Sequence, residues 1–264
     1  MEKESSKSGK VEVWMFRVPN EHFAFILTLI IIVIISILLS IFDIYVFILL
    51  FIGVIVYVNL QQAQYLGNAI RVHPKQYPKI FYSFRDKAER LGIRQASLYI
   101  TQDPYLQAFT LGITNCTVVL TSAIVEQLTE KELDFVIAHE LGHYAAGHTK
   151  LSTLFVPIGN SNVLSGLILG FWNRKAEFSC DRCGLILTKD IDSSISALIK
   201  LAVGEKLYKD LDIKGYIAQI KTANRTSVKF SELLGSHPLI TNRIKNLMIF
   251  WKENFRTVNI NNIE

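Results

Sequence analysis

His139, Glu140 and His143 stand in the pattern H-E-x-x-H. Residues four apart project from one face of a helix, so the two imidazoles can close on a single zinc ion. Glu140 then lies beside that ion, able to take a proton from a water held there. A metal, a general base and a hydrolytic reaction are specified together. The pattern needs a helix around it. Thr129 and Glu132 form a T-x-x-E start signal. Leu133, Val136, Ile137, Leu141 and Tyr144 recur at helical spacing and bury one stripe. Gly142, a poor helix former, predicts a close approach to another backbone, and Gly147 offers a C-terminal stop. The bland alternative is a surface helix with two unrelated histidines.

A catalytic zinc takes three protein ligands and keeps one position open. Downstream candidates for the third are His148, Glu177, Asp181 and His237. His148 lies just past the helix end and is expected to point away from the pair. Glu177 and Asp181, four apart, share one helical face. One can ligate while the other accepts a hydrogen bond from a ligand histidine; the alternative is a solvated acidic pair neutralised by Arg174, Lys175 and Arg182. Cys180-x-x-Cys183 has no second cysteine pair and no βαβ surroundings, which favours two small thiols inside a helix.

The elements that must position these groups are legible in outline. Residues 78–91 form an amphipathic helix with Ile80, Phe81, Phe84, Ala88 and Leu91 on one face. Three short strands follow at 96–101, 107–111 and 117–121, separated by turns at Asp103-Pro104 and 112–115. We expect them to be antiparallel and to offer a sheet edge to an extended peptide, or else to be a purely structural meander. Residues 152–172 are apolar but carry Pro157, Gly159, Gly166 and Gly170. A single crossing there would part His143 from the acidic pair, so a loop and helix packed within the domain are expected. Residues 193–211 form a helix capped by Ser193 or Ser194, 222–229 a polar loop, and a last helix runs from His237-Pro238 to about Asn254.

Half of the 264 residues are hydrophobic, and the excess sits at 23–58, where Asp43 is the single charge. Residues 23–42 make about 30 Å of helix, a bilayer core's thickness. Residues 44–58 are shorter and need 59 and 60, a tilt or local thinning to cross. The reading is a transmembrane hairpin turning near 40–43; one span plus an interfacial helix is the rival. The domains are then a polar segment at 1–22, the hairpin at 23–60 and a catalytic domain at 61–264. Lys3, Lys7, Lys10 and Arg17 precede the hairpin and Arg71, Lys75 and Lys79 follow it, which places both flanks on the cytoplasmic side. The net charge of +5 fits an anionic lipid surface. No nucleic-acid motif is present, and nothing signals an oligomeric state. Three cysteines give no disulfide framework and suit a reducing compartment.

Glu177-x-x-x-Asp181 downstream of H-E-x-x-H resembles the membrane-anchored zinc metallopeptidases that include the heat-shock protease HtpX and the prenyl-protein (CAAX) endopeptidases. Gln107-Ala108-Phe109-Thr110 with Val118-Val119-Leu120-Thr121 is similar to that family's N-A-F-x and V-V-x-T strands. Ser236-His237-Pro238 with Arg243 is similar to its S/T-H-P...R element. The resemblance implies an α+β, mostly helical chain: the transmembrane hairpin, then a gluzincin-like zinc metallopeptidase domain with a small antiparallel sheet. It implies one Zn2+ per chain on His139, His143 and Glu177, and Glu140 as general base. Asp181 would hold a ligand histidine from behind, His237 would stabilise the tetrahedral intermediate, and Arg243 would partner the acidic pair. Gln107, Ala108, Phe109 and Thr110 would bind substrate, although Gln107 stands where the family has Asn. Fewer spans are present than in the HtpX and prenyl-endopeptidase members.

These features together predict an integral protein of the cell membrane with its catalytic domain facing the cytoplasm. It would cleave membrane or membrane-proximal polypeptides through a zinc-activated water, in quality control as HtpX does. The competing class is a zinc-binding membrane scaffold without turnover; the intact Glu140 argues against it.

Overall fold

A short helix α1 (Val13–Phe16) leads into two apolar helices, α2 (Glu21–Leu39) and α3 (Ile44–Asn68). Then come β1 (Ile70–Arg71), α4 (Pro78–Arg90), β2 (Ala96–Thr101), β3 (Ala108–Leu111) and β4 (Cys116–Thr121). Helices α5 (Ser122–Gln127), α6 (Glu130–Ala145), α7 (Val163–Thr188), α8 (Ile191–Tyr208), α9 (Ile213–Ala218) and α10 (Ile240–Asn254) follow. This is a computed structural model, and it describes residues 9–39, 44–112, 114–150, 163–218 and 238–255.

The sheet corrects the expected antiparallel arrangement. Its order is β1-β2-β4-β3, with β2 and β4 parallel and β3 antiparallel to β4. β1, which the sequence reading lacked, pairs antiparallel with β2. Burial explains the order. In β4, Val118, Val119 and Leu120 are fully buried, and a strand buried on both faces belongs in the middle of a sheet. Every residue of β3 is only partly buried, so β3 takes the edge and β4 inserts between it and β2. That edge lies over α6, where Thr110 reaches Glu140.

Helix α6 opens with the reciprocal cap read from its sequence. Thr129 accepts from the Glu132 amide, and the Glu132 carboxylate accepts from the Thr129 amide at 2.8 Å. The same carboxylate also receives Lys200 Nζ of α8 at 2.8 Å and the Ser196 hydroxyl. Burial works against the charged form of Glu132, but the Lys200, Ser196 and Thr129 hydrogen bonds hold its pKa below the usual 4.5. A depressed folded pKa means stability that is present above 4.5 and lost as pH falls through the folded value. Acid unfolding should therefore draw on this group, and Glu132→Gln should flatten the stability profile below that pH in urea melts. Helix α8 starts two residues earlier than expected, because Asp190 rather than a serine caps it, accepting from Ser193 N at 3.0 Å.

Helices α6 and α7 approach closely through glycines. A Cβ on Gly142 would stand 3.0 Å from Cys183 Cβ, so the neighbour foreseen there is a side chain of α7. A Cβ on Gly184 would come within 2.7 Å of the Phe135 ring and 3.1 Å of its carbonyl. Gly184→Ala gains up to about 1 kcal/mol of helix propensity but overpacks a well-filled core, at about 1–3 kcal/mol. We expect net destabilisation in denaturant melts, and partial recovery when Phe135→Leu is added. Cys180 and Cys183 are both fully buried in α7.

The segment before α2 belongs to this core. Val11 N donates to Arg90 O at 2.8 Å, and Phe16 is wholly buried among Ala138, Cys183 and Leu187. Helix α2 then lies along α7, packing Ala24 on Trp172 with Phe25, Ile31, Ile32 and Ile35 beside them. Many of the other described side chains of α2 and α3 are large, apolar and exposed, Phe23 at 60% and Leu49 at 72%. Among the described residues no helix is long and apolar enough to cross a membrane. The expected hairpin turn at 40–43, the stretch 151–162 and the loop at 222–229 lie outside the described residues. Residues 163–172 open α7.

Candidate active site and metal centre

Helix α6 presents His139 and His143 on one side, and α7 crosses it to bring Glu177 opposite. His139 Nε2 and His143 Nε2 stand 3.1 Å apart. Glu177 Oε2 lies 3.6 Å from His139 Nε2, and Glu177 Oε1 lies 3.5 Å from His143 Nε2. Around a tetrahedral zinc with bonds of about 2.0 Å, ligand atoms are separated by about 3.3 Å. The two nitrogens, and the Glu177 oxygen nearer to each, are therefore spaced much as the ligands of one such ion would be.

The surrounding hydrogen bonds decide where the protons sit. His139 Nδ1 is 3.0 Å from Asp181 Oδ1. Arg243 clamps that carboxylate through Nε at 2.8 Å and Nη2 at 2.6 Å. Burial opposes ionisation of Asp181, but the Arg243 charge and hydrogen bonds, with those of His139, bring its pKa below the ordinary value. An ionised Asp181 can only accept, so the His139 proton lies on Nδ1 and the Nε2 lone pair faces the gap. Arg243 Nη1 also stands 3.2 Å from Glu177 Oε2. Burial disfavours a charge on His143, yet Glu177 and Glu140 lift its pKa above the ordinary value. Two imidazole nitrogens and a carboxylate converging on one point form a donor set that fits zinc, which would take the place of the His143 proton.

Glu140 is held to one side of the gap. Thr110 Oγ1 lies 2.8 Å from Glu140 Oε2 and 3.0 Å from its carbonyl oxygen, so β3 aims the carboxylate. The cleft in front is lined by Leu106, Gln107, Ala108, Phe109, Phe135, Val136, Leu201, Pro238, Ile240 and Arg243. The residues singled out in the sequence are thus together, with one exception. His237 lies outside the described residues. Thr110, expected at the substrate, is with the others and places its hydroxyl on Glu140.

His148 does not point away as the sequence reading had it. Gly147 adopts a left-handed φ of 83°, and the chain turns back so that His148 Nδ1 comes 3.3 Å from His143 Nδ1. His148, His143 and Cys180 also form a convergent group. Burial raises the Cys180 thiol far above its ordinary range. Glu21 was missed altogether. It is buried beneath His148, Arg17 and Ser179, and its one signal was a carboxylate at the mouth of an apolar run.

Lone pairs gathered for a cation, with a carboxylate base beside them and an open strand edge across a cleft, define a metallopeptidase. The chain belongs to peptidase family M48, which it matches over residues 74–168 and 157–249. It is 30% identical over 176 residues to the plastoglobule-localized metallopeptidase 48 of Arabidopsis thaliana, a match covering 61% of this chain and 51% of that one. The chain thus spans about half the length of that relative. It is 24% identical over 229 residues to a protease HtpX homolog of Streptococcus pyogenes, covering 69% of this chain and 76% of that protein. The crystal structure of S. mikatae Ste24p shares the fold, with a TM-score of 0.53 at 17% identity over 77% of this chain and 57% of that one.

Proposed function

We propose that the chain is a membrane-anchored, zinc-dependent endopeptidase acting on membrane or membrane-proximal polypeptides. The observation that carries this reading is the convergence of His139 Nε2, His143 Nε2 and Glu177 on one point, at separations of 3.1 to 3.6 Å, with Glu140 beside them.

Zinc, when bound, polarises a scissile carbonyl and makes a water acidic enough to lose its proton near neutral pH. Glu140 receives that proton and returns it to the leaving amine. Thr110 keeps Glu140 aimed, and Asp181 with Arg243 keeps His139 in the ligating tautomer. His237 is assigned to the charge that develops on the carbonyl oxygen. Gln107, Ala108 and Phe109 lie at an edge strand that lines the cleft. An extended substrate adds there through backbone hydrogen bonds, which gives affinity with little demand on sequence.

Anchoring in a membrane is supported by the row of large exposed apolar side chains on α2 and α3, a surface water does not tolerate in such extent; a catalytic domain facing the cytoplasm is proposed from the basic residues on both flanks. The names of the relatives agree with a protease of this kind, and quality control of membrane proteins is the role carried over from HtpX. The test uses detergent-purified protein, an unstructured test polypeptide and a zinc assay. One zinc per chain, cleavage at internal bonds, loss with a chelator and recovery with added zinc are expected. One zinc per chain with no cleavage of soluble or membrane-embedded polypeptides would favour the scaffold instead.

A further inference from the structure

Behind the second ligand histidine lies a line of polar groups that the reaction as described does not use. His143 Nδ1 faces His148 Nδ1 at 3.3 Å, and His148 Nε2 faces Glu21 Oε1 at 3.0 Å. His148 is 4% exposed and Glu21 3%. Arg17 Nε stands 2.9 Å from the Glu21 carboxylate, and the Ser179 hydroxyl donates to it. The Ser179 oxygen in turn accepts from Val18 N at 3.0 Å. Cys180 Sγ lies 3.4 Å from His148 Nδ1.

The protons in this line follow from the end that can only accept. A carboxylate surrounded by Arg17, Ser179 and His148 accepts, so the His148 proton is on Nε2 and its Nδ1 offers a lone pair. That lone pair takes the Nδ1–H of His143, which leaves His143 Nε2 bare toward the metal point. Asp181 does the same for His139 in one step; Glu21 does it for His143 in two, through an intervening imidazole.

We propose that Glu21 and His148 are a hydrogen-bond relay that fixes the tautomer and ring orientation of His143, and that the segment leading into α2 is thereby a working part of the metal centre. Both are positioning residues. The inference rests on the zinc site argued above and adds to it a dependence on residues far from the motif. Partners of this kind behind a ligand histidine typically contribute about 10- to 100-fold in metal affinity.

Two isosteric changes at His148 separate the relay from simple packing. In His148→Asn the amide oxygen falls where Nδ1 was and still accepts from His143, although contact with Glu21 is lost. In His148→Gln the amide nitrogen reaches Glu21 but nothing accepts from His143. Zinc affinity is measured by chelator competition on the detergent-purified full chain, together with the visible spectrum of the cobalt-loaded protein. His148→Gln should bind zinc about 10- to 100-fold more weakly and shift the cobalt bands, while His148→Asn stays within about threefold of wild type. Glu21→Met, which keeps the length of the side chain but removes the acceptor, should lie between them, and it serves alone if the His148 variants do not fold. Equal losses for Asn and Gln, or an unchanged Glu21→Met, would overturn the relay while leaving the zinc site standing. A wild type that binds no zinc would overturn the site itself.

Discussion

Glu140→Gln should keep its full complement of zinc and lose peptide hydrolysis by about 10²- to 10⁴-fold. The change keeps the side chain's size and leaves an oxygen to accept the Thr110 hydroxyl, which stands 2.8 Å from Glu140 Oε2. None of the three ligand atoms belongs to residue 140, so the ion has no reason to leave. What disappears is the one basic lone pair beside the gap, and with it the route by which a proton leaves the attacking water. Turnover numbers and zinc content of wild type and variant, measured on the same preparations, decide it. Undiminished cleavage by Glu140→Gln would remove this carboxylate from the mechanism.

Arg243→Met should be the most damaging single change to stability. Arg243 is 8% exposed, and its guanidinium contacts Asp181 at 2.6 and 2.8 Å and Glu177 at 3.2 Å. Asp181 is wholly buried. Removing the only arginine that touches both carboxylates, among the described residues, leaves buried charge uncompensated, at about 3–5 kcal/mol. The loss should be smaller with zinc present, because a cation beside Glu177 replaces part of the missing charge. Arg243→Lys should not rescue it, since an ammonium cannot make the two parallel bonds of a guanidinium. Urea unfolding with and without zinc measures both effects. Equal costs in the two conditions would mean that Arg243 and the metal do not share a field.

The chemistry was more legible in this sequence than the architecture. A ligand pair at i and i+4, a carboxylate pair at the same spacing and a T-x-x-E cap are local patterns, and helices preserve local patterns. Sheet order is a long-range choice. β2, β3 and β4 follow one another along the chain, and nothing in their alternation says that the third must insert beside the first. That choice came from relative burial, which depends on what packs against each face. Glu21, and its meeting with His148, were missed for a related reason. They lie 127 positions apart, and their meeting depends on the left-handed turn at Gly147, which the sequence reading took for a simple stop.

The proposed metal centre draws on groups from Glu21 to Arg243, so it would be complete only after nearly all of that stretch has been synthesised. While the ribosome is still making α7, Glu21 has no Ser179 and His143 no Glu177. Until α10 follows, Asp181 has no guanidinium. A nascent chain halted between the end of α6 and residue 243 therefore carries the H-E-x-x-H helix without the Arg243 contacts to Asp181 and Glu177. On the reading proposed here the site is completed late in synthesis, a delay that follows from the spread of its residues along the chain.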